Sequence, residues 1–383
     1  MPLYLWRKQV LVAWALCVAA GGGCERARLP VPPRSVTQWS REWTNWGAQA
    51  GEVYGLELKS EVLEAWKWDG DHMAMFLQRP LTLATDADRH QYFNTYLGGG
   101  QYLCSVTEES DGSRVLQERD CTSNQVTAQW AVEPGWFTVT QAGTNRSGSS
   151  AAVIFDEDRP GPPGMDSDHP RIRIAVINRK AGSFRWAVML RAGGHPVDVS
   201  HVAMSDDGRL VTLAGWEGGV AVVDLAQDRL LWKDKPWHES NTRAAAFSPD
   251  GQWLYAGGTQ GCVYVYDAKS GAVRGQWWAT ESNREQSGDR IDAVATSPDG
   301  RFVAAALDPD ATIRVWDART GRVVLDLRQV AIGMAHVFAM VFSPDSRYLA
   351  TVGGGYVKVW DLPAPQQNGG GATSRPAASV GNK

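Results

Sequence analysis

Apolar residues along this chain fall in short runs, each closed by turn residues, and the pattern is clearest between residues 297 and 327. Ser297-Pro298-Asp299-Gly300 is a turn, because proline fixes φ and glycine accepts the positive φ that ends it. Phe302–Leu307 follows as an unbroken apolar run bounded by turn residues, which predicts a buried strand. Asp308-Pro309-Asp310 is a second turn. Thr312–Trp316 alternates, with Ile313 and Val315 on one face and Arg314 and Trp316 on the other. Asp317–Gly321 is a third turn, and Val323–Leu327 is another strand. Strands joined by turns this tight predict an antiparallel meander.

The same pattern recurs. Ser343-Pro344-Asp345 leads to Val357-Lys358-Val359-Trp360-Asp361. Ser248-Pro249-Asp250-Gly251 leads to Val263–Asp267, and Ser205-Asp206-Asp207-Gly208 leads to Val220–Asp224. Gly194-His195 precedes the last of these, followed by Val199, Val202 and Met204. A repeat of about 40–45 residues with four strands, a Trp-Asp dipeptide and a Gly-His opening is the mark of a propeller blade. Over residues 194–361 the chain resembles the WD-repeat β-propeller family.

Upstream the repeat is degenerate, but the polar residue that ends each third strand can still be followed. Asp69, Asp120, Asn178, Asp224, Asp267, Asp317 and Asp361 stand about 43 to 58 residues apart. Those anchors predict an all-β, seven-bladed β-propeller of four-stranded antiparallel blades; the weaker upstream matches leave six blades as the alternative. After Asp361 come Pro363, Pro365 and a Gln/Gly/Ser/Ala tail, so the last blade lacks a fourth strand. An open ring would expose a long edge, which β proteins avoid. Ser35-Val36-Thr37-Gln38-Trp39 echoes the fourth strands Val126–Trp130 and Val273–Trp277, so residues near 35–40 are expected to pair with 356–361 and close the ring.

The first residues change the picture of where the protein works. Arg7 and Lys8, the apolar Val10–Ala20 and the small residues up to Cys24 resemble a bacterial lipoprotein signal, with Cys24 as the acylated residue. Gly21 departs from the usual larger residue there, and ordinary cleaved export is the alternative. The expected organisation is a signal peptide over 1–23, a Pro-rich tether over 24–34, the propeller over 35–362 and a disordered tail over 363–383. The expected location is the bacterial envelope, as a periplasmic or outer-membrane lipoprotein held to a membrane by its lipid, or alternatively the medium, by secretion.

Export allows disulfides, and Cys104 and Cys121 are candidates for one, on the expectation that position 104 faces roughly 119. Two small buried hydrophobes are the other reading. Cys262 reads as packing. With 21% charged residues and a net charge of −4, nothing suggests a nucleic-acid partner. The 18 tryptophans sit mostly at strand ends, where flat side chains fill wedges between radial sheets.

No nucleophile elbow, phosphate loop, Cys-x-x-Cys or His-Glu-x-x-His occurs, so no catalytic residue and no cofactor is assigned. His195 and His238 occupy the position of the family's strand-bonding histidine. The acidic stretch with Asp156, Asp158, Asp166 and Asp168 offers hard oxygen ligands for calcium, but its prolines and glycines favour a solvated loop and no metal. The resemblance implies a non-enzymatic interaction module with a protein partner. A propeller enzyme or a small-ligand or metal-binding protein using the central channel is the alternative, and an envelope lipoprotein with a purely structural role is a third. A partner surface is expected on the loops that carry Trp216, Glu217, Trp237, His238, Arg284, Asp308 and Asp310, a mixture of aromatic and polar groups typical of interface anchors.

Overall fold

The computed structural model describes residues 33–38, 45–57, 62–80, 85–86, 89–108, 113–132, 138–156, 171–191, 199–215, 218–234, 241–279, 289–308, 311–328, 336–353 and 356–364. These residues form seven antiparallel sheets. Strand β1 (Ser35–Gln38) comes first. Blade one is β2 (Asn45–Gln49), β3 (Glu52–Glu57), β4 (Val62–Asp69) and β5 (His72–Pro80). Blade two is β6 (Thr85–Asp86), β7 (Arg89–Gly98), β8 (Gln101–Glu108), β9 (Arg114–Asp120) and β10 (Val126–Val132). Blade three is β11 (Thr138–Thr144), β12 (Ser150–Asp156), β13 (Arg171–Asn178) and β14 (Ser183–Arg191). Blade four is β15 (His201–Met204), β16 (Leu210–Ala214), β17 (Val220–Asp224) and β18 (Arg229–Asp234). Blade five is β19 (Thr242–Phe247), β20 (Trp253–Gly258), β21 (Cys262–Asp267) and β22 (Val273–Trp278). Blade six is β23 (Arg290–Thr296), β24 (Phe302–Asp308), β25 (Thr312–Asp317) and β26 (Val323–Arg328). Blade seven is β27 (Val337–Phe342), β28 (Tyr348–Gly353) and β29 (Tyr356–Asp361), completed by β1. The first strands of successive blades, with β7 in that place in blade two, touch around a circle, and β27 meets β2 again. The protein is a seven-bladed β-propeller. Blade two departs from four strands, because the two-residue β6 adds to the far side of the long β7.

The anchors work because of turn chemistry. All seven end the third strand of a blade, counting blade two from β7. Asp317 Oδ1 accepts from the Thr320 backbone N–H at 2.8 Å and its hydroxyl at 2.7 Å. Asp267 does the same with Ser270, and Asn178 Oδ1 accepts from Ala181 N. The Ser-Pro-Asp turn is equally specific. Ser297 Oγ donates to Asp299 Oδ1 at 2.7 Å and accepts from Phe302 N at 2.9 Å, which fixes the start of the second strand.

Second and third strands are buried on both faces; β16, β17, β24 and β28 are buried throughout. This is why they read as continuous apolar runs. It also corrects the simple alternation expected for β25, because a neighbouring blade covers each face. Arg314 is buried there, with Nε donating to Asp326 at 2.7 Å and Nη1 to Trp278 O at 3.0 Å.

Tryptophans of fourth strands interlock the blades. Trp232 in blade four donates to Ala268 O in blade five at 2.9 Å. Trp277 in blade five lies over the turn of blade six, where a Cβ on Gly321 would come within 2.8 Å of its Nε1. Trp130 in blade two reaches Gly182 O in blade three. Between blades two and three, Arg179 adds a buried ion pair to Glu118 at 3.1 Å and a bond to Gly148 O at 2.7 Å.

The ring closes as expected. β1 pairs antiparallel with β29, Ser35 opposite Val359 and Gln38 opposite Tyr356. Arg34 reinforces the seam. Its backbone N–H donates to Val359 O at 2.6 Å, and its guanidinium pairs with Asp361 in blade seven and Asp71 in blade one.

The Cys104–Cys121 expectation is corrected. Neither is in a disulfide, and both are buried. The register places Cys104 opposite Gln117, and Cys121 N donates to Gly100 O, so the two lie four positions apart along the ladder. At ~3.3 Å per residue that is about 13 Å, beyond the reach of a disulfide. The signal peptide, Cys24, most of the tether and most of the tail lie outside the described residues.

Two stability outcomes follow from this packing. Gly321→Ala combines a positive φ of 67° with the clash on Trp277, and should cost about 1–3 kcal/mol in denaturant unfolding. Gly182→Ala, whose Cβ would meet nothing within 4 Å, should cost only the left-handed strain of about 1 kcal/mol; equal losses would discount the interlock. Deleting residues 34–41 removes the strand that completes blade seven, and should lower the melting temperature by several degrees, whereas an unchanged transition would mean the seam contributes nothing.

Candidate functional site

The first strands converge on the axis, and side chains there must be small. Ala203 on β15, Ala246 on β19 and Ala295 on β23 line a central channel of about 580 Å³. One end is spanned by the Arg146 side chain. Arg146, just after β11, donates from Nε to Asp206 at 3.0 Å and from its terminal nitrogens to Thr296 O and Oγ1 at 3.3 and 3.2 Å. It therefore ties blade three to blades four and six across the channel floor. Gln49 braces the same end by accepting from Thr144 N and Oγ1.

The other end is a charged mouth made by β-bulges. The registers of β19, β23 and β27 each skip one residue near the strand start, and the skipped residues are Arg243, Asp292 and Phe338. A bulge re-aims the side chain it frees. Arg243 Nε reaches Asp292 Oδ1 at 2.9 Å, and Phe338 is exposed beside His336. Arg290 grips both Asp292 oxygens through Nε at 3.1 Å and Asp308 Oδ2 through Nη2 at 2.7 Å. His336 Nδ1 touches Asp308 Oδ1. Blades five, six and seven thus contribute one connected network. The sequence carries no warning of it, because the bulges that create it leave no local pattern.

His201 faces this end from blade four. Burial pushes its pKa down to about 4, so the ring is neutral near pH 7, and its Nδ1 is sealed without a hydrogen bond.

Asp308, expected as a surface anchor, is corrected: it is 4% exposed, because it ends β24 between Arg290 and His336 and pairs with both. Trp216, Glu217, Trp237, His238, Arg284 and Asp310 lie outside the described residues. Their loops leave from strand ends that share the mouth face, since Ala214, Val220 and Asp234 are in register with His201. Asp156 ends β12, half-buried; Asp158, Asp166 and Asp168 lie outside the described residues.

Comparison with known proteins agrees with this geometry. The chain is 26% identical over 153 residues to a WD repeat-containing protein of Synechocystis sp., covering 40% of each. It is 25% identical over 190 residues to the LST8 homolog of Drosophila melanogaster, covering 45% of this chain and 55% of that protein. A chain in the crystal structure of the Mitotic Checkpoint Complex superposes with a TM-score of 0.56 at 15% identity, covering 89% of this chain and 95% of that one. The chain is a WD-repeat β-propeller. This WD-repeat propeller thus spans 40% and 55% of the two curated relatives' lengths.

The sequence model of the Cytochrome D1 heme domain also matches residues 182–364, less than half of the chain. A haem iron is held by an axial side chain such as imidazole. In this WD-repeat propeller His336 is turned onto Asp308, and His201 Nδ1 is sealed in the wall. Met204 and Met340 pack into the cores between blades. These residues do not fit a haem.

The neutral His201 gives stability a pH dependence. Its folded pKa is depressed, so its contribution is full above the unfolded value near 6.5 and is lost as pH falls towards about 4. The melting temperature should therefore drop over that window, and His201→Gln should flatten the drop. Equal slopes in the two proteins would mean that the ring takes up its proton in the fold.

Proposed function

We propose that this WD-repeat propeller is a non-enzymatic protein-interaction scaffold, exported and held at the bacterial envelope by lipid on Cys24. The observation that carries the reading is the closed WD-repeat ring, whose blades are interlocked while the strand ends that lead to the expected partner residues share one face. A rigid ring with loops on one face is a platform, because the strands hold the loops in place and leave their sequence free to vary. The relatives are consistent with this. The similar solved chain is part of the Mitotic Checkpoint Complex, and WD-repeat proteins recur among the curated relatives. The residues Arg7 to Cys24 support export and acylation, and the tether up to Arg34 leads directly to the seam that closes the ring.

On this reading the partner binds the mouth face through Trp216, Trp237, His238 and Arg284. Cross-linking in the native envelope tests it. A Trp216→Ala, Trp237→Ala double variant should keep its melting temperature and lose its cross-linked partners. Lost stability would make the tryptophans structural, and unchanged cross-linking would place the site elsewhere. Cys24→Ser should lose lipid labelling and leave the membrane fraction; retained labelling would refute the anchor.

A further inference from the structure

We propose that Asp292, Asp308 and His336 form a divalent-cation site at the channel mouth, of the class that zinc occupies. One ligand atom from each, drawn from the start of β23, the end of β24 and the residue before β27, lies within 4.8 Å of the other two. An ion bound at about 2.1 Å to tetrahedral ligands needs them about 3.4 Å apart, so small side-chain movements complete the geometry.

The acidic pair alone would not make a site. The second observation is an unsatisfied buried group. Asp308 is 4% exposed, and its Oδ1 is sealed from water with no hydrogen bond. Facing it is His336 Nδ1, also sealed and also without a hydrogen bond, although the two atoms touch. Buried polar atoms are normally hydrogen-bonded, and an imidazole nitrogen and a carboxylate oxygen held in contact as an ion pair, but without hydrogen-bond geometry, are two lone-pair donors that a shared cation would satisfy.

The surroundings match a metal centre's outer shell. Arg290 holds Asp308 Oδ2 and both oxygens of Asp292, and Arg243 holds Asp292 Oδ1. Hydrogen bonds of that kind fix ligating carboxylates in place. The two arginines also offset the carboxylate charge, so binding should be micromolar. An imidazole donor with two carboxylates suits zinc and disfavours magnesium or calcium, which take oxygen shells of six or more. Three protein ligands leave a fourth position open towards the channel for water or an incoming carboxylate.

Calorimetric titration of the chelator-stripped full chain with zinc chloride at pH 7.5 tests the site. One saturable micromolar event per chain is expected, at least tenfold weaker in His336→Ala and in Asp308→Asn, with no event for magnesium. No saturable zinc event, or an unchanged affinity in both variants, would overturn the proposal. Should either variant fail to fold, Asp292→Asn, a substitution nearer the surface, decides in the same way. Tenfold weakening supports the site, and unchanged affinity overturns it.

Discussion

Every sheet in this structure has two edges, and the fold depends on leaving none of them open at the seam. Six blades close by hairpins within their own sequence. The seventh cannot, because the chain after Asp361 turns into proline, and its last strand comes from the opposite end. Pairing β1 with β29 satisfies the backbone of both, and Arg34 ties that pair to blade one through Asp71. Residues Arg34 to Gln38 are thereby committed to the ring.

Closure also sets what the blades can be. Radial sheets leave wedges that widen outwards, and the fourth-strand tryptophans fill them by resting on the next blade's turn. At Gly271 and Gly321 the ring stands where a Cβ would, so a residue chosen for its backbone in one blade is there also chosen for its neighbour's ring. At the axis the opposite limit holds. The strands crowd, the walls become alanine, and the polar groups are confined to the two ends. Arg146 spans one end, and the bulges of blades five to seven crowd charge around the other. A charged mouth on the loop-bearing face is a consequence of how these strands begin.

What the sequence by itself determined was local. The Ser-Pro-Asp turns, the capped ends of the third strands and the apolar runs all depend on residues within about five positions of each other, so turn chemistry and hydrophobic period were enough to read them. The blade count followed from the spacing of those local units, and the closing strand from its likeness to other fourth strands. The tertiary structure decided what depends on register and on contact between blades. Cys104 and Cys121 looked pairable until the hairpin register set them four positions apart. Asp308 looked like a surface charge until His336 and Arg290 closed over it. Arg146 meets Thr296 across 150 residues of sequence, and Asp292 reaches the mouth only because a bulge turns it there. Such contacts arise from the ring's geometry, which sums many small strand placements, and no single stretch of sequence encodes that sum.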